Sequence, residues 1–185
     1  AIGSNWSDRR WATLAKHVEI MQSVWSKDYH PSMGPTTFSK NGPEILAGAV
    51  GPKAMEMSSS FAAGLAGFSF NADLEEIQDS FARVKDAFKK KEKTPRLITS
   101  FWFGLGKNAR SDIQIHLERY LSWMGDDFAR DLGKTAGFSG SQDELSDFLN
   151  LIKAAGATDV ILVPTSKNIE QLILAEEVIA KFEQN

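Results

Sequence analysis

Pro43-Glu-Ile-Leu-Ala-Gly-Ala-Val-Gly-Pro-Lys53 is the stretch from which the rest of the chain reads. A proline is tolerated at the first position of a central strand, and Ile45-Leu46-Ala47 follows it with a short apolar run. Gly48 and Gly51 bracket Ala49-Val50, so the backbone there can turn sharply or lie against a ligand. Pro52 suits the first turn of a helix, where its missing N–H costs nothing. Lys53 to Ala63 is helix-compatible, and Gly64 ends that stretch. Strand, glycine turn and helix N-terminus thus follow one another. In this arrangement free backbone N–H groups and the helix dipole attract an anion such as phosphate. The alternative is an ordinary strand-to-helix turn whose glycines serve packing.

Upstream, Ser7 or Asp8 caps a helix reaching about Ser26, with Trp11, Leu14, Val18, Met21 and Trp25 spaced as one buried stripe. Between Lys27 and Gly42 the periodicity stops, and Pro31, Gly34 and Pro35 punctuate a loop. Downstream, Leu65–Phe70 reads as a weak strand interrupted by Gly67. Asp73-Leu-Glu-Glu76 has the form of a capping box, and Leu74, Ile77, Phe81, Val84 and Phe88 follow at helical spacing. Arg96–Phe103 is the best strand; its near-continuous apolar run predicts burial on both faces, as in a parallel sheet. Asn108–Phe138 reads as two helices. Ser141-Gln-Asp-Glu144 opens another, which Gly156 stops. Asp159–Val163 is a strand ended by Pro164, and Asn168 caps a last helix with Ile169, Leu172, Ile173, Val178, Ile179 and Phe182 expected inside.

Alternating strands and helices with short connections predict an α/β fold with a parallel sheet and right-handed crossovers. Either a four-stranded doubly wound sheet or part of a (βα)8 barrel satisfies that order. The chain of 185 residues is short of the ~250 of a full barrel and starts with a helix, which favours a barrel lacking its front half. Hydrophobic residues make up 42% and charged residues 24%, with a net charge of −3, which suits one globular domain over 1–185. The slight acidity argues against a nucleic-acid partner, and the lack of a long apolar run argues against a membrane span. The absence of cysteine excludes thiol catalysis and Cys-ligated metal, and a cytoplasmic setting is expected.

Ser7-Asp-Arg-Arg-Trp11 with Val18-Glu-Ile-Met-Gln-Ser-Val-Trp25 resembles the helix that follows the fourth strand of bacterial-luciferase-like flavin monooxygenases. Pro43–Ala54 is similar to that family's fifth strand and the turn after it. Ser141-Gln-Asp-Glu-Leu145, Ala155–Thr165 and Gln171-Leu172 are similar to its closing helix–strand–helix. The likeness runs in order along essentially the whole chain. It implies the C-terminal half of a TIM (βα)8 barrel, the helix after strand four plus (βα)5–8, with strands one to four missing. It further implies a flavin-dependent oxidoreductase or monooxygenase acting on a small organic substrate. The cofactor would be FMN or, in some branches, a deazaflavin coenzyme. By the resemblance, the flavin phosphate would lie on Ala49, Val50, Gly51, Lys53 and Ala54, with Arg9 or Arg10 helping to hold it. Open strand edges on such a half-barrel lead to the expectation of a homodimer.

Other residues carry less. His17, His30 and His116 are scattered, and without clustered carboxylates they make no metal site. Trp102 and Phe103, late in their strand, either floor a flavin or substrate pocket or pack in the core. Ser69, Ser100 and Thr165 place hydroxyls at strand ends, with no Ser-His-Asp spacing. Catalytic residues are not assignable from these positions. A non-catalytic flavin-binding or structural relative, and an unrelated small nucleotide-binding domain, remain as further readings.

Overall fold

The computed structural model describes residues 11–25, 42–49 and 51–182. In chain order the elements are α1 (Trp11–Trp25), β1 (Leu46–Ala47), α2 (Pro52–Ser58), β2 (Gly64–Ala66), α3 (Leu74–Lys89) and β3 (Arg96–Leu105). They continue with α4 (Ala109–Tyr120), a 3-10 turn (Ser122–Met124), α5 (Asp126–Thr135), β4 (Phe138–Gly140), α6 (Gln142–Ala155), β5 (Asp159–Pro164) and α7 (Glu170–Phe182). β1 pairs with β2, and β3 with both β4 and β5, in each case parallel. The chain forms two compact units, Ala1–Leu65 with Arg83–Arg96, and Ala66–Ala82 with Leu97–Asn185.

In the first unit, Leu46 and Ala47 register against Gly64 and Leu65. Gly64 does not end a helix, as its position after Ala63 suggested; it sits in β2. A methyl group there would lie 1.9 Å from the Arg96 carbonyl oxygen, so only hydrogen fits. α2 stops at Ser58 because Ser58, Ser59 and Ser60 each donate a hydroxyl to the carbonyl three residues back, at 2.9, 2.6 and 2.7 Å. Such local side-chain bonds compete with continued helix. The stripe expected of α1 is also corrected. Val18 is buried, but Leu14 and Met21 are exposed and Trp25 half-buried. Periodicity reports an apolar face, not the surface that covers it; within this unit α1 meets α2 alone among the described elements in more than passing contact.

The second unit is built on β3. N–H and C=O of one strand residue point to the same side, and successive residues alternate. Ile98 and Ser100 carbonyls accept from Gly67 and Ser69 N–H groups (2.8 and 2.9 Å), whereas the Leu97 carbonyl accepts from Thr158 N–H (2.8 Å). β5 therefore lies along the other edge of β3, in register from Ile98↔Asp159 to Phe103↔Pro164. The short β4 runs beside the end of β3, Phe103↔Phe138 to Leu105↔Gly140.

Both faces of β3 are covered, as its apolar run predicted. On one face Phe101 meets Phe148 of α6 with ring centroids 5.4 Å apart. On the other, Trp102 and its register partner Val163 join a cluster with Ile113, Leu117, Leu121, Ala129, Leu132 and Ala136 of the α4–α5 hairpin. Arg110 closes that hairpin by donating to the Ala136 and Gly137 carbonyls, and burial lowers its pKa.

Helix ends follow the sequence closely in three of four places. Ser141 and Glu144 form the reciprocal capping box of α6, and Gly156 ends it at φ +100°. Asn168 Oδ1 accepts the Glu170 N–H at the start of α7 (3.1 Å). At α3 only half of the box forms. Asp73 Oδ1 accepts Glu76 N–H (2.8 Å), but the Glu76 carboxylate accepts from Ser69 Oγ (2.8 Å). In α7 the buried residues are Gln171, Ala175 and Val178; Ile169, Leu172, Ile173 and Ile179 are exposed, contrary to expectation. The small and amide side chains let α7 approach closely, and Gln171 has main-chain partners to reach.

Candidate functional site

In the first unit, the glycine turn joins β1 to α2. Gly51 is the N-cap at φ −90°, ψ 155°, with no side chain capping the helix, and Pro52 occupies the first helical position. Met55 N–H bonds back to Gly51 O (3.0 Å), which closes the first turn. Lys53 and Ala54 N–H precede that closure and have no acceptor within the helix. A Cβ added at Gly48 or at Gly51 would meet nothing within 4 Å, so main chain is open on that side. Lys53 is exposed and Ala54 half-buried, whereas the Ala49 methyl is buried, leaving Ala49 only its main chain to offer. Arg9, Arg10 and Val50 lie outside the described residues, as does His30. The turn thus brings Gly48, Gly51, Lys53 and Ala54 together, with open space beside both glycines and an exposed lysine next to them.

In the second unit, the ends of the strands carry aromatic rings. Phe68, Phe70 and Trp102 meet edge-to-face, with centroids 4.6 Å (Phe68–Trp102), 5.6 Å (Phe70–Trp102) and 5.4 Å (Phe68–Phe70) apart. Trp102 is 5% exposed, against 38% and 47% for Phe68 and Phe70. Of the two readings of Trp102 and Phe103, core packing holds, Phe103 being buried as well. The exposed rings are Phe68 and Phe70, which the sequence reading did not single out. The Phe-Ser-Phe alternation around buried Ser69 was the available signal. Beyond them Ala72 adopts φ +49°, a conformation rare outside glycine and the kind of backbone strain that gathers at functional loops.

The strand-end hydroxyls are all engaged. Ser69 Oγ donates to Glu76 and accepts Asp73 N–H (3.0 Å), Ser100 Oγ donates to Gly67 O (2.8 Å), and Thr165 Oγ1 donates to Phe103 O (2.9 Å). They hold strands and loops together rather than standing ready as nucleophiles. His116 stacks on Tyr120 at 5.6 Å, its pKa lowered by burial first and by Arg119 second. His17 is exposed on α1. Among the described residues no group of three His, Cys, Asp or Glu side chains could hold a metal ion, and no helix is long and apolar enough to cross a membrane.

No family model and no curated protein matches the sequence. Solved structures do match. An F420-dependent secondary alcohol dehydrogenase in complex with an F420-acetone adduct is 14% identical with a TM-score of 0.66, over 98% of this chain and 65% of that one. The coenzyme F420 dependent tetrahydromethanopterin reductase from Methanopyrus kandleri is 14% identical, TM-score 0.64, over 93% and 63%. The monooxygenase RslO1 from Streptomyces bottropensis is 18% identical, TM-score 0.61, over 97% and 61%. These neighbours are luciferase-like TIM-barrel enzymes, and the parallel α/β architecture here is of their fold type. The chain spans just under two thirds of the length of each.

Proposed function

We propose that this chain is a luciferase-like, flavin-dependent oxidoreductase or monooxygenase domain, equivalent to the helix after strand four and (βα)5–8 of the barrel. What carries the reading is the fold likeness to oxidoreductases over nearly the whole chain. The open β1–α2 turn supports it, because a phosphate needs main-chain N–H groups that no side chain covers. FMN is the cofactor proposed, with the F420 deazaflavin named in two neighbours as the alternative. The bound flavin or deazaflavin would supply hydride transfer, and the flavin also oxygen chemistry. The chain's own part is to hold the phosphate end. Gly51, Lys53 and Ala54 would donate main-chain N–H groups, Lys53 would add its ammonium, and Ala49, Val50, Arg9 and Arg10 would complete the cradle. The substrate is a small organic molecule, and the setting a cytoplasmic homodimer.

Fluorescence titration of FMN and of F420 tests this. Saturable binding of one cofactor is expected, weakened in Gly51→Val, whose side chain would project into the open space above the turn without disturbing φ. Equal affinity of wild type and variant would remove the phosphate assignment, and no binding of either cofactor would remove the reading. A charge reversal at Arg9 and Arg10 together should weaken binding in a salt-dependent manner. A binder without turnover is the second reading. Substrate-dependent oxidation of added reduced flavin separates the two.

A further inference from the structure

A cavity of 340 Å³ opens over the first half of β5, between the C-terminal turns of α6 and α7. It lies at the other end of β5 from Thr165; six strand residues at ~3.3 Å each separate the two ends. Leu149, Val160, Leu162, Ile179 and Phe182 make an apolar lining. Three side chains bring polar atoms to it, Lys153, Thr158 and Asp159. The Thr158 hydroxyl is shared between the Leu97 main chain (3.0 and 3.1 Å) and the Asp159 carboxylate (2.8 Å), so Thr158 and Asp159 are already engaged. Lys153 is different. Its ammonium stands 4.7 Å from the Phe182 ring centroid, and among the described residues no carboxylate pairs with it. An ammonium over an aromatic face is partly stripped of water and gains from a counter-charge.

We infer that this cavity binds a small amphipathic carboxylate, its hydrocarbon against Leu149, Val160, Leu162 and Ile179 and its carboxylate on the Lys153 ammonium. Charge complementarity selects the head group, since Lys153 is the cation in the lining and has no counter-charge among the described residues. Asp159, on the same rim, repels the head and so fixes which way the molecule enters. The size lies at the lower end of small-molecule sites, which limits the tail to a short chain. The site is independent of the flavin reading, because it shares no residue with the β1–α2 turn.

Calorimetric titration of the whole chain with octanoate, octan-1-ol and octylammonium, each below its aggregation concentration, tests the inference. Octanoate should bind one to one and at least fivefold more tightly than the alcohol, with octylammonium weakest. Hexanoate should bind more weakly than octanoate, by roughly fourfold per methylene lost. Lys153→Gln should cost octanoate at least fivefold and leave octanol unchanged; both residues are exposed-site compatible, so the fold is retained. Ile179→Glu, at a position 42% exposed, should abolish octanoate binding by placing a like charge beside the tail. Unsaturable binding, equal affinity for carboxylate and amine, or an unaltered Lys153→Gln variant would each overturn the assignment.

Discussion

Gln171 is a buried amide whose removal has a calculable effect. It is 8% exposed, accepts the Leu105 N–H at 2.7 Å and donates to the Leu105 carbonyl at 3.0 Å. Its place follows from the ladder. β5 ends at Pro164, the register partner of Phe103, so Leu105 lies beyond the last pair and would otherwise face no partner on that edge. Gln171→Met keeps the volume and removes both bonds. Each buried main-chain group left alone costs about 1–3 kcal/mol, so the sum is about 2–4 kcal/mol, the carbonyl falling at the lower end. With a urea m-value of about 2 kcal/mol/M, the unfolding midpoint should fall by about 1–2 M at unchanged slope. Gln171→Glu adds a sign. The introduced carboxylate can still accept the Leu105 N–H, but its other oxygen opposes the Leu105 carbonyl unless protonated, so its folded pKa is raised. The penalty relative to wild type should vanish below about pH 4.3, grow as pH rises through that unfolded value, and be complete above the folded pKa. A Gln171→Met variant within about 0.5 kcal/mol of wild type, or a Gln171→Glu penalty indifferent to pH, would refute the account.

Gly64→Ala should cost more than about 3 kcal/mol or prevent folding, because the new methyl overlaps the Arg96 carbonyl, whereas Gly48→Ala should stay within about 0.5 kcal/mol in the same urea unfolding measurement. Bonds from Ser141 N–H first, and from its side chain second, lower the Glu144 pKa. The stability they lend is therefore present above the ordinary glutamate pKa and is lost as pH falls through the depressed one; Glu144→Gln should flatten that acid limb in denaturation followed by circular dichroism. Arg119→Gln should raise the His116 pKa only part of the way to its ordinary value, since burial is the larger cause, and proton NMR titration of the ring reads this directly.

The long, strongly patterned elements were legible because local sequence and tertiary demand agree there. Arg96–Leu105 is apolar on both faces and is buried on both; Ser141 with Glu144, and Gly156, mark the ends of α6 by side-chain chemistry that needs no partner element. β4 was not legible. Phe138-Ser-Gly140 follows Gly137 at φ +69° and becomes a strand only because the end of β3 offers it a ladder. The outward faces of α1 and α7 misled for a related reason: their apolar residues are real, but the described residues of each unit cover only part of them. At the glycine turn, the sequence showed that main chain could be bare. That an added Cβ at Gly48 or Gly51 meets nothing within 4 Å, the space a ligand needs, belongs to the folded chain and is not written in the local sequence.

The pairing of β3 with β5 joins residues 61 apart in sequence, as at Leu97 and Thr158. Within that interval lies the α4–α5 hairpin, Ala109 to Thr135, whose helices touch closely enough that a methyl on Gly133 would lie 3.2 Å from the Gln114 Cα. A hairpin of sequence neighbours forms early, since closing a short loop costs little entropy. Once formed it also draws Ala136, and with it β4, toward Arg110 and the end of β3, which shortens the loop still to be closed before β5 can dock. By this reasoning the hairpin should set the rate at which the sheet is completed. Substitutions at the Gly133–Gln114 contact should slow folding, whereas those at Ile161 on the last strand should act mainly by hastening unfolding.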